Sequence, residues 1–181
     1  VFVAQQAKKS YFLKEASSAG FLHLAVHGEL DASSPSYSRL WFGDEESEAL
    51  TALEIYDLSL QAQLAVLSAC NSGLGDPLFG NGLLSLAQAF RMAGIGSTVM
   101  SLWEVPDRES AAIMEYFYHH LKSGLSKDEA LRQAKLTYLE NQNDPALQHP
   151  FYWAGFVVLG DYDPVSSSPW WYWGIVLFLF V

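Results

Sequence analysis

"AVLSACNSGLG", Ala65 to Gly75, holds the one cysteine of a 181-residue chain, at the point where an apolar run breaks into a glycine-rich loop. Gln63–Ala69 reads as a strand that is apolar along its length and ends at Cys70. A strand apolar on both faces belongs to a parallel sheet covered by helices on both sides. Working outward, "GFLHLAV" (Gly20–Val26) is a second buried strand, preceded by a helix over Ser10–Ser18. "SRLWF" is a shorter strand or hairpin arm, and Thr51-Ala-Leu-Glu54 is a capping box that opens a short helix. "GLLSLAQAFRMAG" has helical spacing and closes on Gly94, and "STVMSLW" is a third strand. Asp107–Lys122 predicts a long helix closed by Gly124. Ser126-Lys-Asp-Glu129 reads as a second capping box, opening a helix to about Asn141, and "FYWAGFVVLG" as the last strand. Strands alternating with helices give an α/β fold with a mostly parallel central sheet flanked by helices. Active sites of such sheets collect at the carboxyl ends of the strands.

Composition narrows the function. Twenty acidic against ten basic residues give a net charge of −10, the wrong sign for a nucleic-acid footprint. One cysteine excludes an internal disulfide and a zinc site built on several thiolates. No phosphate-binding loop of the GxxxxGK[ST] or GxGxxG type follows a strand, so no nucleotide cofactor is expected. The chain begins with Val1, shows no signal-peptide pattern, and is expected to be a piece of a longer polypeptide.

Past a domain expected over residues 1–163 lies a Pro/Ser linker, 164–169, and then "WWYWGIVLFLFV", residues 170–181. Twelve uncharged residues are too few to span a bilayer, but an aromatic cluster ahead of an aliphatic run suits a membrane interface. The segment is expected to be the start of a truncated transmembrane anchor; the alternative is a hydrophobic strand that finishes the core.

His27 directly follows the strand Gly20–Val26, as Cys70 follows Gln63–Ala69. If the two strands are parallel neighbours, both side chains emerge at one edge of the sheet. A thiol attacks as the thiolate, and an imidazole within reach takes its proton or stabilises the anion. The backbone amides of Gly28 and Cys70, expected where strands end in open loops, are candidate donors to a developing oxyanion. Each residue alone has an ordinary reading, a core cysteine and a hydrogen-bonded structural histidine. His149 is expected to be structural, His23 to face into its strand, and His119 and His120 lack metal-ligand spacing, so no metal site is expected.

"FLHLAVHGEL", "LSACNSGLG", "GNGLLSLAQAFRMAGIGSTVMSLWEVPD" and "HPFYWAGFVVLGD", in that order, closely resemble the CHAT domain. This family of caspase-like, clan CD cysteine peptidases is related to separases and often lies downstream of tetratricopeptide repeats. The resemblance covers about residues 10–161 and implies a caspase-like three-layer α/β sandwich with a His–Cys dyad at His27 and Cys70. It implies a cysteine endopeptidase acting on proteins or peptides, latent until an upstream repeat or sensor region triggers it. It also implies a bacterial cell; with the expected C-terminal anchor, the domain would be cytoplasmic and tethered to a membrane. The alternative is a non-proteolytic, membrane-tethered interaction module of the same fold. The strand that walls the substrate pocket in caspase-like folds is here "STVMSLWEVPD", and the similar segment of separases, which cut after arginine, ends in an acid corresponding to Asp107. Asp107 is thus a candidate partner for a basic substrate side chain, with Trp103 and Glu104 as candidate walls. Asp107 could equally cap the helix that begins beside it.

Overall fold

The computed structural model describes residues 2–3, 8–31, 33–68, 80–165 and 175–179. Six strands form the central sheet. In spatial order they are β1 (Phe2–Val3), β9 (Ile175–Leu179), β2 (Phe21–Ala25), β6 (Leu64–Leu67), β7 (Ser97–Ser101) and β8 (Phe156–Gly160). Every neighbouring pair is parallel except β7–β8, which is antiparallel. A separate three-stranded antiparallel sheet is made of β3 (His27–Glu29), β4 (Arg39–Trp41) and β5 (Ala49–Thr51).

Alternation along the strands feeds two cores. Leu22, Leu24, Ala65, Leu67 and Met100 point to one face. There they pack with Phe12 of α1 (Lys9–Glu15), Ile55 of α2 (Ala52–Tyr56), Phe90 of α3 (Gly80–Met92), and Leu40 and Leu50 of the small sheet. Phe21, Leu64, Val66 and Val99 point to the other. Their partners are Ile113 and Phe117 of α4 (Asp107–Lys122) and Leu131, Ala134 and Tyr138 of α5 (Lys127–Glu140). Burial on both faces is why these strands read as continuous apolar runs. The result is helices, a mostly parallel sheet, and helices again, a caspase-like sandwich.

Several expectations change. Ile175–Leu179 is a parallel strand between β1 and β2, with Phe21 opposite Ile175 and Phe2 opposite Phe178. The stretch expected to begin a membrane anchor thus supplies a strand of the central sheet, because its uncharged aliphatic run suits a doubly covered strand as well as it suits lipid. No helix among the described residues is long and apolar enough to cross a membrane. His27 and Gly28 do not lie in an open loop. The chain turns at Val26 and pairs again, with His27 opposite Trp41 and Gly28 opposite Leu40. The last strand starts at Phe156 rather than Phe151, because Pro150–Tyr152 forms a 3-10 turn. The box at Ser126 does not close: its hydroxyl donates to Asp128 Oδ1 at 2.6 Å and caps no amide. Gly94, past the end of α3, has φ +112°, and a Cβ there would strike the Leu60 carbonyl. Residues 69–79, with Cys70 among them, lie outside the described residues.

Candidate active site

Three parallel strands end at one edge. Leu24 of β2 is opposite Leu67 of β6, and Leu67 is opposite Met100 of β7. Ser68 extends the pairing by donating its N–H to the Leu24 carbonyl at 3.0 Å. A cavity of about 960 Å³ opens at this edge, on the α4 side. β2 contributes His23 and Ala25, the start of β3 contributes His27, and Ser68 follows the end of β6. Glu104, Val105, Asp107 and Ser110 come from the β7–α4 connection and the first turn of α4, Glu29 and Trp41 from the small sheet, and Asp44 from its β4–β5 connection.

His27, Glu104 and Asp107, singled out in the sequence, therefore share one cavity, and all three are exposed at its wall. Trp103 does not join them. Its indole Nε1 donates to the Phe151 carbonyl at 2.8 Å, and its ring lies over Gly155, where a Cβ would come within 3.0 Å of it. Gly28 is buried inside β3. Cys70 lies outside the described residues, and Ser68, two positions before it in the chain, lines the cavity. Asp107 begins α4 without capping it: Pro106 is the N-cap and no side chain bonds the first amides. Its carboxylate stands in the first turn, where the helix dipole favours negative charge.

The cavity is acidic. Glu29, Asp44, Glu104 and Asp107 line it, and no Lys or Arg does among the described residues. Glu29 is already engaged, accepting from Trp41 Nε1 at 3.0 Å with Arg39 Nε 3.6 Å away. Arg39 is itself held over the Trp41 ring and against Glu46 at 2.6 Å. Asp44 and Asp107, with no side-chain partner among the described residues, are thus the part of the wall able to meet a cation. No group of three or more His, Cys, Asp or Glu among the described residues is arranged to hold a metal ion.

The floor carries a histidine that the sequence reading placed only as facing into its strand. His23 Nε2 is 3.3 Å from Ser68 Oγ, and its Nδ1 is 2.9 Å from the Tyr118 hydroxyl of α4. Burial lowers the His23 pKa to about 4, so the ring is neutral at pH 7, and burial raises Tyr118 above the usual phenol value. The signal was present in the spacing: residues 23, 25 and 27 alternate along the chain, and all three line the cavity.

Comparison with known proteins agrees with this architecture. Residues 1–161 match the CHAT domain family. The chain is 35% identical over 120 residues to tetratricopeptide repeat protein 28 of Mus musculus and 34% identical over 120 residues to its Homo sapiens counterpart. Each alignment covers 66% of this chain and 5% of the relative. Both relatives are mammalian, so the expectation of a bacterial source finds no support in them. With a mostly parallel sheet between helical layers and a match spanning residues 1–161, the chain belongs to the CHAT domain family, which has a caspase-like fold.

Proposed function

We propose that the domain is a cysteine endopeptidase that cuts after basic residues, with Cys70 as nucleophile and His27 as its proton carrier. The observation that carries this reading is the acid-walled cavity with His27 in its side, at the edge where β6 ends three residues before Cys70. The Cys70 thiolate adds to the carbonyl carbon before the scissile bond, and the oxygen takes the negative charge. The Gly28 and Cys70 amides are assigned as its donors; among the described residues β3 is an edge strand of its sheet. The C–N bond then breaks, the leaving amine takes the proton from the His27 imidazolium, and a thioester to Cys70 remains. Water, deprotonated by His27, hydrolyses that thioester and regenerates the thiol. Asp107, with Glu104 beside it, pairs with the guanidinium or ammonium of the substrate. An upstream repeat region is proposed as the trigger, supported by the relatives' being tetratricopeptide repeat proteins.

The test uses the full-length chain and acyloxymethyl ketone probes with Arg, Leu or Asp before the warhead. Labelling is expected for wild type and not for Cys70→Ala or His27→Ala, with the Arg probe faster by about tenfold or more. Asp107→Asn is expected to remove most of that preference. Equal labelling by all three probes would keep the peptidase and discard the acidic selector. No labelling of any form would support the competing reading, an interaction module that keeps the fold without the chemistry.

A further inference from the structure

The floor of the cavity joins three elements through hydrogen bonds. Ser68 at the end of β6, His23 on β2 and Tyr118 on α4 form a chain in which each imidazole nitrogen meets one hydroxyl. A neutral imidazole has one N–H and one lone pair, so one hydroxyl donates to the ring and the other accepts from it. Among the described residues, His23 Nδ1 is the hydrogen-bond partner of the Tyr118 hydroxyl. Were Nδ1 to carry the ring proton, the phenol would accept and its own proton would be desolvated without an acceptor. The opposite order satisfies both groups. Tyr118 O–H therefore donates to Nδ1, and Nε2–H donates to Ser68 Oγ. Ser68 accepts on its oxygen and keeps a hydroxyl proton to give. Its backbone N–H is fixed on the Leu24 carbonyl, and the residue lines the cavity.

We propose that Tyr118 and His23 are positioning residues that orient the Ser68 hydroxyl as a donor into the cavity, where it bonds a peptide carbonyl oxygen of the bound substrate. The inference rests on the peptidase reading above and adds a substrate contact to it. Donors linked in series polarise one another, so the terminal hydroxyl gives a stronger bond than a lone serine would. A chain that ends on a neutral donor also suits an acidic cavity, since it adds no further charge near the wall of Asp44, Glu104 and Asp107.

The test has two independent readouts on the full-length chain. Nitrogen NMR of the histidines, with the His23 signal assigned by its loss in His23→Gln, reads the tautomer directly. The expected result is a neutral ring protonated at Nε2 in wild type and a mixed tautomer in Tyr118→Phe. Labelling of Cys70 by the Arg probe and peptide hydrolysis read the contact. Ser68→Ala is expected to lower kcat/KM by about three- to tenfold, the weight of one hydrogen bond, mainly through KM. Ser68→Thr, which keeps the hydroxyl, is expected to restore most of it. Tyr118→Phe should give a smaller loss, and adding it to Ser68→Ala should cost nothing further, because both act through one proton. Melting temperatures within a few degrees of wild type separate these effects from folding. A ring protonated at Nδ1, or a Ser68→Ala variant within about twofold of wild type, would overturn the proposal. A wild-type chain that no probe labels overturns the peptidase reading, and the substrate role of Ser68 with it, whatever tautomer is found.

Discussion

His23 is the residue whose setting has the clearest consequence for stability. Folding carries its imidazole out of water and lowers its pKa to about 4. In the unfolded chain the ring has its ordinary value near 6.5. Between these values the unfolded state binds the proton and the folded state does not, so acid favours unfolding. The contribution is fully present above about 6.5 and is lost as the pH falls toward 4. For a shift of this size, stability is expected to drop by about 2 kcal/mol between roughly pH 7 and roughly pH 5 from this residue alone. Urea unfolding of wild type and His23→Leu at the two pH values checks it. The variant should lose less stability than wild type over the same interval, even though its absolute stability is lower for leaving two hydroxyls without the ring. Parallel losses in the two proteins would show that the folded state binds the His23 proton as readily as the unfolded chain does.

At the scale of elements, two stretches of the same pattern behave differently, and the reason is competition for a side chain. In Thr51-x-x-Glu54 the Glu54 N–H donates to Thr51 Oγ1 at 3.1 Å, and the Thr51 N–H donates to Glu54 Oε2 at 2.9 Å. Lys9 of α1 adds an ion pair to Glu54 at 2.6 Å, so the cap of α2 also ties down α1. In Ser126-x-x-Glu129 the carboxylate is taken by Arg132, at 2.8 and 2.7 Å, and by Gln133. Thr51→Ala is therefore expected to cost about 1 kcal/mol, and Ser126→Ala to change stability by less than about 0.5 kcal/mol. Thermal melts of the two single variants decide it, and equal losses would mean that the Ser126 box closes in solution. The same contrast marks what the sequence could reveal. Asp107–Lys122 was legible to its ends because its apolar spacing, Pro106 and Gly124 are local signals. The buried strands of the central sheet were legible because β6 is apolar throughout and β2 and β7 carry large apolar side chains toward both cores. His27 in β3 was not, since its partner Trp41 lies across a loop and no local pattern announces the pairing. Trp103 turned away from the cavity for a partner 48 residues distant, the Phe151 carbonyl. Ile175–Leu179 was ambiguous in principle: an uncharged aliphatic run fits lipid or a sheet interior, and only its register against Phe21–Ala25 decides.

For the molecule as a whole, charge is the property that reaches furthest from the site. A net charge of −10 surrounds a cavity whose wall is acidic, so the long-range field and the charge of the wall have the same sign. On the proposed peptidase reading, a basic peptide would be drawn toward the molecule before it docks, and salt screens that attraction beyond about 10 Å at roughly 0.1 M. The proposed local pairing with Asp107 and Glu104 would be screened less, because the cavity wall excludes part of the solvent. Hydrolysis of an Arg peptide by the full-length chain is thus expected to lose about three- to tenfold in kcat/KM between roughly 0.02 and 0.5 M salt, chiefly through slower association. A Leu peptide of otherwise neutral sequence should change by less than about twofold over the same range. Asp107→Asn should flatten the Arg slope only slightly while lowering the Arg rate at every salt concentration, since it removes one charge of the field and the contact proposed for the basic side chain. If the Arg and Leu peptides show the same dependence on salt, the acidic wall takes no part in substrate capture. The preference for a basic residue would then have to come from somewhere other than Asp44, Glu104 and Asp107.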